Sequence, residues 1–187
     1  MKKEDKKRLL TLYEERLTKY GNSFKTAGWG SIEDQKLRFD MLFRNINIRN
    51  KSILDLGCGL GDLVSYLDNK KIDNYHYTGI DISEKLITQA KYNYPRPNVK
   101  FIAQDVLNDE LPRKDIVIVS GMLTFKIEGI KDNIKKIMHK LFASSNQVLA
   151  INFMSSYADF ELEKNLHFSP EKIFSYAKEI SPWINVY

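Results

Sequence analysis

A single cysteine, Cys58, stands among 187 residues, so no internal disulfide is possible. The fold must close without staples, which a chain this long does by burying about 70% of the surface its unfolded form exposes. One thiol also fits a reducing, cytoplasmic compartment. Long apolar runs are missing too: none approaches the roughly 18 residues of a membrane span. The opening MKKEDKKRLL mixes acids with its bases and has no apolar stretch behind them, a poor secretory signal. The cysteine and the three histidines make no metal-ligand spacing, so no metal site is expected. Charge of one sign is scarce as well. The net charge of +5 comes from bases scattered among acids, as in KKEDKKR and EKLITQAK. That is the pattern of a solvated surface and not of a nucleic-acid footprint.

What is present is a periodic alternation. Leu9, Leu10, Tyr13, Leu17 and Tyr20 recur at helical spacing over about residues 3–20. GNSFKTAGWGS then reads as a loop, and Ser31 with Asp34 can cap a helix running to about Phe43. From Ser52 onward, strands are predicted at 52–56, 76–81, 98–103, 115–120 and 147–153, with helices near 60–69, 84–93 and 130–142. Strands separated by helices pair in parallel, giving an α/β fold with a doubly wound, mainly parallel sheet. Ser169 and Pro170 open a last helix, and WINVY reads as the start of a further strand. The whole is expected to be one domain: residues 1–47 a helical N-terminal lid, residues 48–187 the cofactor-binding core.

The most informative stretch is SILDLGCGLGDL, residues 52–63: a buried strand, a glycine loop, then a helix. A dinucleotide loop reads G-x-G-x-x-G. Here Gly57, Gly59 and Gly61 give G-x-G-x-G, and Asp62 stands where the third dinucleotide glycine would be. Asp55 precedes the loop. Two carboxylates there would repel a pyrophosphate seated on the helix N-terminus. They suit a ligand that ends in an ammonium group, as S-adenosylmethionine does. One strand on, YTGIDIS ends in Asp81, placed to accept hydrogen bonds from ribose hydroxyls; NAD would want the same acid.

LDLGCGLG resembles motif I of the class I S-adenosylmethionine-dependent methyltransferases. The resemblance implies a Rossmann-like methyltransferase fold that binds S-adenosyl-L-methionine. It implies that Cys58 and Ile82 lie against the cofactor, that Asp105 takes the adenine amino group, that the Val106 N–H meets a ring nitrogen, and that Ser120 ends the fourth strand beside the methyl donor. For Asp105 a plain turn acid is the competing reading. Two flanking segments, YGNSFKTAGWGSIEDQKLRF before motif I and LAINFMSSYADFELEKNLHFSPEKIFSYAKEISPWINVY after it, resemble a bacterial group with a Tyr-Gly…Gly-Trp…Gln-x-x-Arg-Phe segment. That group is associated with surface-polysaccharide or small-metabolite pathways. The matching positions include Tyr20, Trp29, Gln35 and Arg38. Physics gives them roles: Arg38 can hold the methionine carboxylate, and Tyr20 and Trp29 can cover the sulfonium. Lid packing and a surface ion pair are the alternatives.

The resemblance implies methyl transfer to a small-molecule or sugar acceptor. A cofactor-binding non-catalytic subunit that works through a partner, or an RNA or protein methyltransferase, are the other readings. No general base stands out. His167 is the best histidine, and Tyr157 and Asp159 are placed to line an acceptor pocket. SGML after the fourth strand lacks the Asn/Asp-Pro-Pro-aromatic run of enzymes that methylate exocyclic base amines. Similar proteins have seven strands, so the C-terminal strand hairpin looks incomplete. The strand at 147–153 would then keep an open edge, inviting a homodimer unless residues 183–187 cover it.

Overall fold

A computed structural model describes residues 1–187. Its sheet is built from β1 (Ser52–Leu56), β2 (His76–Asp81), β3 (Val99–Ala103), β4 (Lys114–Val119) and β5 (Ser145–Ile151). All pairs are parallel, in the order β3-β2-β1-β4-β5. Helices α1 (Lys3–Tyr20) and α2 (Ile32–Leu42) precede the sheet. Helices α3 (Asp62–Asn69), α4 (Glu84–Asn93) and α5 (Ile130–Ala143) connect strands, and α6 (Pro170–Ile180) follows. Element bounds depart from the sequence expectation by no more than two residues.

The central strand shows why. In β1, Ile53, Leu54 and Leu56 are completely buried, because helices cover both faces of a parallel sheet. Each such side chain contributes about 1.5–3 kcal/mol by leaving water. The register of β1 on β4 is pinned at one end: the Ser52 N–H and hydroxyl both donate to Asp115 Oδ2 at 2.8 Å. Ile53 and Ile118 face a cluster that includes Phe39 of α2, Leu63 and Leu67 of α3, and Ile87 of α4. Leu54, Leu56, Val117 and Val119 face the other way, toward Leu141 of α5. A third cluster joins Leu9 of α1 to Leu123, Met138 and Phe168, with Ile173 and Tyr176 of α6 packed on it. Helix α2 is thereby part of the main core, and only α1 and the following loop lie over the sheet's end.

One expectation fails. WINVY forms no strand: residues 181–187 are irregular, and no backbone hydrogen bond joins them to β5. Pro182 has no N–H to donate, and Trp183 is 89% exposed. The tail is held instead by its last side chain. Tyr187 Oη accepts from Asn45 Nδ2 at 2.7 Å, and Arg44 lies over the ring at 5.1 Å. Strand β5 therefore keeps an open edge.

The chain leaves β1 for β2 on one side and reaches β4 on the other. The crevice at the carboxyl ends of β1 and β4 is thus the topological switch point, where open α/β sheets bind ligands.

Candidate active site

The glycine loop folds back on β2. Gly57 N–H and Cys58 N–H both donate to Ile80 O, at 2.8 and 3.1 Å. Gly59 N–H donates to Asp81 Oδ2 at 2.9 Å, and Ser83 N–H to Asp81 Oδ1 at 3.0 Å. One carboxylate thus fastens the loop to the start of α4, where the Ser83 hydroxyl caps the helix. Gly61, at φ +84°, must be glycine on two counts. The angle is left-handed, and a Cβ would come within 2.8 Å of the Phe101 ring.

Around this loop lies one large cavity at the carboxyl edge of the sheet. Its lining includes Trp29, Asp55, Gly57, Cys58, Gly59, Asp81, Ile82, Asp105, Val106 and Ser120. The fold brings these sequence-chosen residues together from the ends of four strands and the loop before α2. Gly61 shapes the loop from behind. Tyr20 and Arg38 do not line the cavity. Tyr20 is half-exposed at the end of α1 with Lys19 at its ring face, and Arg38 stacks on the Trp29 indole at 4.9 Å. Trp29 itself lies over Gly121, where a Cβ would meet its ring at 3.8 Å. Tyr157 and Asp159 also stay outside. Tyr157 is exposed and donates to Glu171 on α6. His167 is buried but away from the cavity, with Glu161 at 3.7 Å from Nδ1.

Four acids line the cavity, Asp55, Asp62, Asp81 and Asp105, and no lysine, arginine or histidine does; Met1 also lines it, and its terminal ammonium donates to Asn108 Oδ1 at 3.1 Å. Burial pushes the Asp55 carboxyl up to about 7, against a hydrogen bond from the Tyr77 hydroxyl at 2.7 Å that lowers it; Asp81 and Asp62 add to the rise. Burial raises Asp62 too, opposed by Gln35, whose Nε2 donates to Asp62 Oδ2 at 2.7 Å. Asp81 is raised by burial and partly restored by its backbone donors. The Cys58 thiol is pushed up by burial and the same acids, so it stays a neutral wall atom. Asp105 spends its oxygens on its own turn, accepting from Leu107 N–H and Asn108 Nδ2 at 3.0 Å. The turn-acid reading therefore describes its contacts, while its position still borders the cavity.

Sequence reasoning missed the rest of the wall. Leu9 and Tyr13 of α1 close it from above, with Met122, Leu123 and Phe125 after β4. Tyr13 and Leu9 were visible only as helical periodicity, which a core helix shows equally. Asn152 also went unnoticed: its Oδ1 accepts from Gly121 N–H at 3.0 Å and fixes the turn after β4.

The geometry is that of an α/β domain that receives a ligand at the switch point. The sequence model described as "Methyltransferase domain" matches residues 53–144, the stretch from β1 to the end of α5. A Mycobacterium tuberculosis protein named as a methyltransferase is 31% identical over 113 residues, covering 58% of this chain and 66% of that protein. The 2-phytyl-1,4-naphtoquinone methyltransferase of Nostoc is 29% identical over 145 residues, covering 75% of this chain and 60% of that one. The chain thus spans less than two thirds of the length of these curated relatives. Among solved structures, the magnesium protoporphyrin IX methyltransferase of Synechocystis with bound S-adenosylhomocysteine superposes with a TM-score of 0.71 at 16% identity, covering 94% of this chain and 88% of that one. Residues 53–144 are thus a methyltransferase domain, on the fold of the class I S-adenosylmethionine-dependent methyltransferases.

Proposed function

We propose that the chain transfers the methyl group of S-adenosylmethionine to a small-molecule acceptor. The observation that carries this reading is the acidic wall of the cavity: four carboxyl groups, and no basic side chain beside the terminal ammonium of Met1 that Asn108 holds. Such a site disfavours a pyrophosphate and favours a cationic ligand. In this reading Asp81 accepts from the ribose hydroxyls with the lone pairs its backbone donors leave free. Asp55 faces the ammonium, and Val106 N–H with Asp105 borders the adenine edge. Trp29 and Tyr13 roof the site and exclude water. The cofactor supplies a methyl already activated by its sulfonium, so positioning accounts for much of the rate.

The acceptor end is bordered by Tyr13, Trp29, Met122 and Phe125. These walls favour an acceptor with an apolar or aromatic face over a sugar, which would need several polar partners. No histidine or lysine stands there as a base, which favours an acceptor atom that sheds its own proton near neutral pH. The lid of this reading is residues 1–31. Its loop is anchored by the buried Thr26, whose hydroxyl donates to Gly21 O at 2.7 Å. The open edge of β5 supports a homodimer through that edge, and light scattering over a concentration series reads it directly: a monomer at the highest concentration rejects the dimer.

Calorimetry with S-adenosylhomocysteine and with NAD tests the cofactor; binding of NAD alone would refute the reading. Labelled methyl incorporation into separate pools of metabolites, RNA and protein tests the acceptor class. Label appearing only in RNA or protein would overturn the small-molecule assignment, and label in none despite tight cofactor binding would favour a non-catalytic subunit.

A further inference from the structure

Each aromatic wall at the acceptor end of the cavity is backed by a guanidinium. Arg38 stands over the Trp29 indole at 4.9 Å, and Arg16 over the rings of Tyr13 and Phe125 at 5.6 and 6.0 Å. The three rings line the cavity and the two arginines do not, so each cation faces the cavity through a ring. Neither guanidinium takes part in any ion pair of the chain. Gly28 leaves room for one of them: at φ +87°, a Cβ there would stand 2.6 Å from Arg16 Nη1. Both arginines are half-buried, so water screens part of each charge, and the effect on a ligand is a matter of factors and not of orders of magnitude.

The cavity is thus polar along its length. Asp55, Asp62, Asp81 and Asp105 gather at one end, and cations stand behind the rings at the other. The Met1 ammonium belongs to the acidic end, since Asn108, which holds it, also donates to Asp105. A guanidinium on one face of a ring already uses the negative quadrupole there. Its charge also repels a second cation brought to the opposite face. A protonated amine is disfavoured in such a place and an anionic oxygen is favoured. We infer that the acceptor is an acidic hydroxyl on an apolar or aromatic frame (a phenol, an enol or a carboxylic acid) bound as its anion, with Arg16 and Arg38 as positioning residues that act through Tyr13, Phe125 and Trp29. The inference rests on the small-molecule methyltransferase reading above and names its substrate class. The acceptor gives its proton to water. Its oxygen forms the new bond to the methyl carbon, and the carbon–sulfur bond breaks with its electron pair left on sulfur. An anion and a sulfonium become a neutral ether or ester and a neutral sulfide. The step asks for no protein base, and none stands at this end of the cavity.

The test labels the methyl group of S-adenosylmethionine, offers the protein a metabolite extract and asks which atom carries the label. Mild hydriodic acid releases an O-methyl as volatile methyl iodide and leaves N-methyl and C-methyl groups in place. Alkali then separates an ester, which yields methanol, from an ether, which does not. Label released by hydriodic acid is the expected result. Label in an N-methyl or C-methyl product overturns the inference and leaves the methyltransferase reading standing; label in no metabolite removes that reading itself. The extract fraction that accepts label then serves as substrate for Arg16→Gln, Arg38→Gln and the corresponding lysine variants, each checked by melting and by calorimetry with S-adenosylhomocysteine. For an ether product, each glutamine variant should move the rising limb of rate against pH upward by roughly half a unit, a loss of about threefold below the limb that disappears above it. For an ester product the acceptor is ionised throughout, and KM should rise about threefold with kcat kept. Lysine should restore part of either effect, and affinity for S-adenosylhomocysteine should stay within about twofold. A fall in kcat of one size at every pH marks a structural role, and lost S-adenosylhomocysteine binding makes that arginine part of the cofactor's hold. Either result, or kinetics unchanged from wild type, overturns the assignment.

Discussion

Replacing Asp55 by asparagine separates two effects of one buried carboxyl. Asp55 ends β1, is 4% exposed and accepts from Tyr77 Oη. Its pKa is raised from 3.8 to about 7, chiefly by burial. At a pH above that value the ionised form costs the ligand-free protein about 4 kcal/mol relative to the unfolded chain. The sign follows from proton counts. Between about pH 4 and about pH 7 the folded state binds the extra proton, so the stability this group contributes is full at low pH and is lost as pH rises through about 7. The amide of the variant has no charge to gain and can still accept from Tyr77. Asp55→Asn should therefore flatten the decline in melting temperature between about pH 4 and about pH 7, and should melt higher than wild type above that window. Binding should move oppositely. In the wild type, S-adenosylhomocysteine should bind more tightly as pH rises through about 7 and should release a proton, seen by calorimetry in buffers of different ionisation enthalpy. In the variant, affinity should be lower by about 10- to 100-fold and independent of pH in this range. A variant that keeps the wild-type pH slope in melting, or the wild-type affinity, would refute the placing of the ammonium at Asp55.

Three further outcomes are expected. Gly61→Ala combines a left-handed backbone with a clash against Phe101 and should lower stability by roughly 2–4 kcal/mol in urea denaturation; a loss under about 1 kcal/mol contradicts the packing described. Residues 21–31 should gain protection from hydrogen exchange when S-adenosylhomocysteine is added, and equal exchange with and without it removes the lid. Asp81→Asn should weaken nucleoside binding, S-adenosylhomocysteine and 5′-methylthioadenosine alike, by about tenfold or more; unchanged affinity for both means that the ribose is held elsewhere.

Much of the fold was legible because it is local. A strand buried on both faces, such as SILDL, writes its burial as a continuous apolar run, and turns between it and its helices are marked by glycine and cap residues. The acids at the ends of β1, β2 and β3 were legible for the same reason: each closes a strand. What stayed hidden depends on contacts between segments far apart in sequence. Leu9 and Tyr13 read as parts of an amphipathic helix, and only the docking of α1 against the segment after β4 brings them to the cavity. Arg38 fitted the cofactor by residue type, yet Trp29 offered a nearer aromatic face. WINVY has the composition of a strand, but a strand exists only with a partner, and the tail reaches the end of α2 through Tyr187 instead.

The glycine loop has a further consequence in how its main chain is oriented. In phosphate-binding loops, successive backbone amides converge outward into a nest for the anion. Here the amides of Gly57, Cys58 and Gly59 point inward and are consumed by Ile80 O and Asp81. These three amides are therefore not offered to a ligand. Discrimination against phosphates is therefore written twice, once in carboxylates and once in the direction of the peptide planes. Neutralising Asp55 and Asp62 together would erase only the first. The doubly substituted chain should still fail to bind NAD in calorimetry, since no side-chain exchange at those positions turns the amides around.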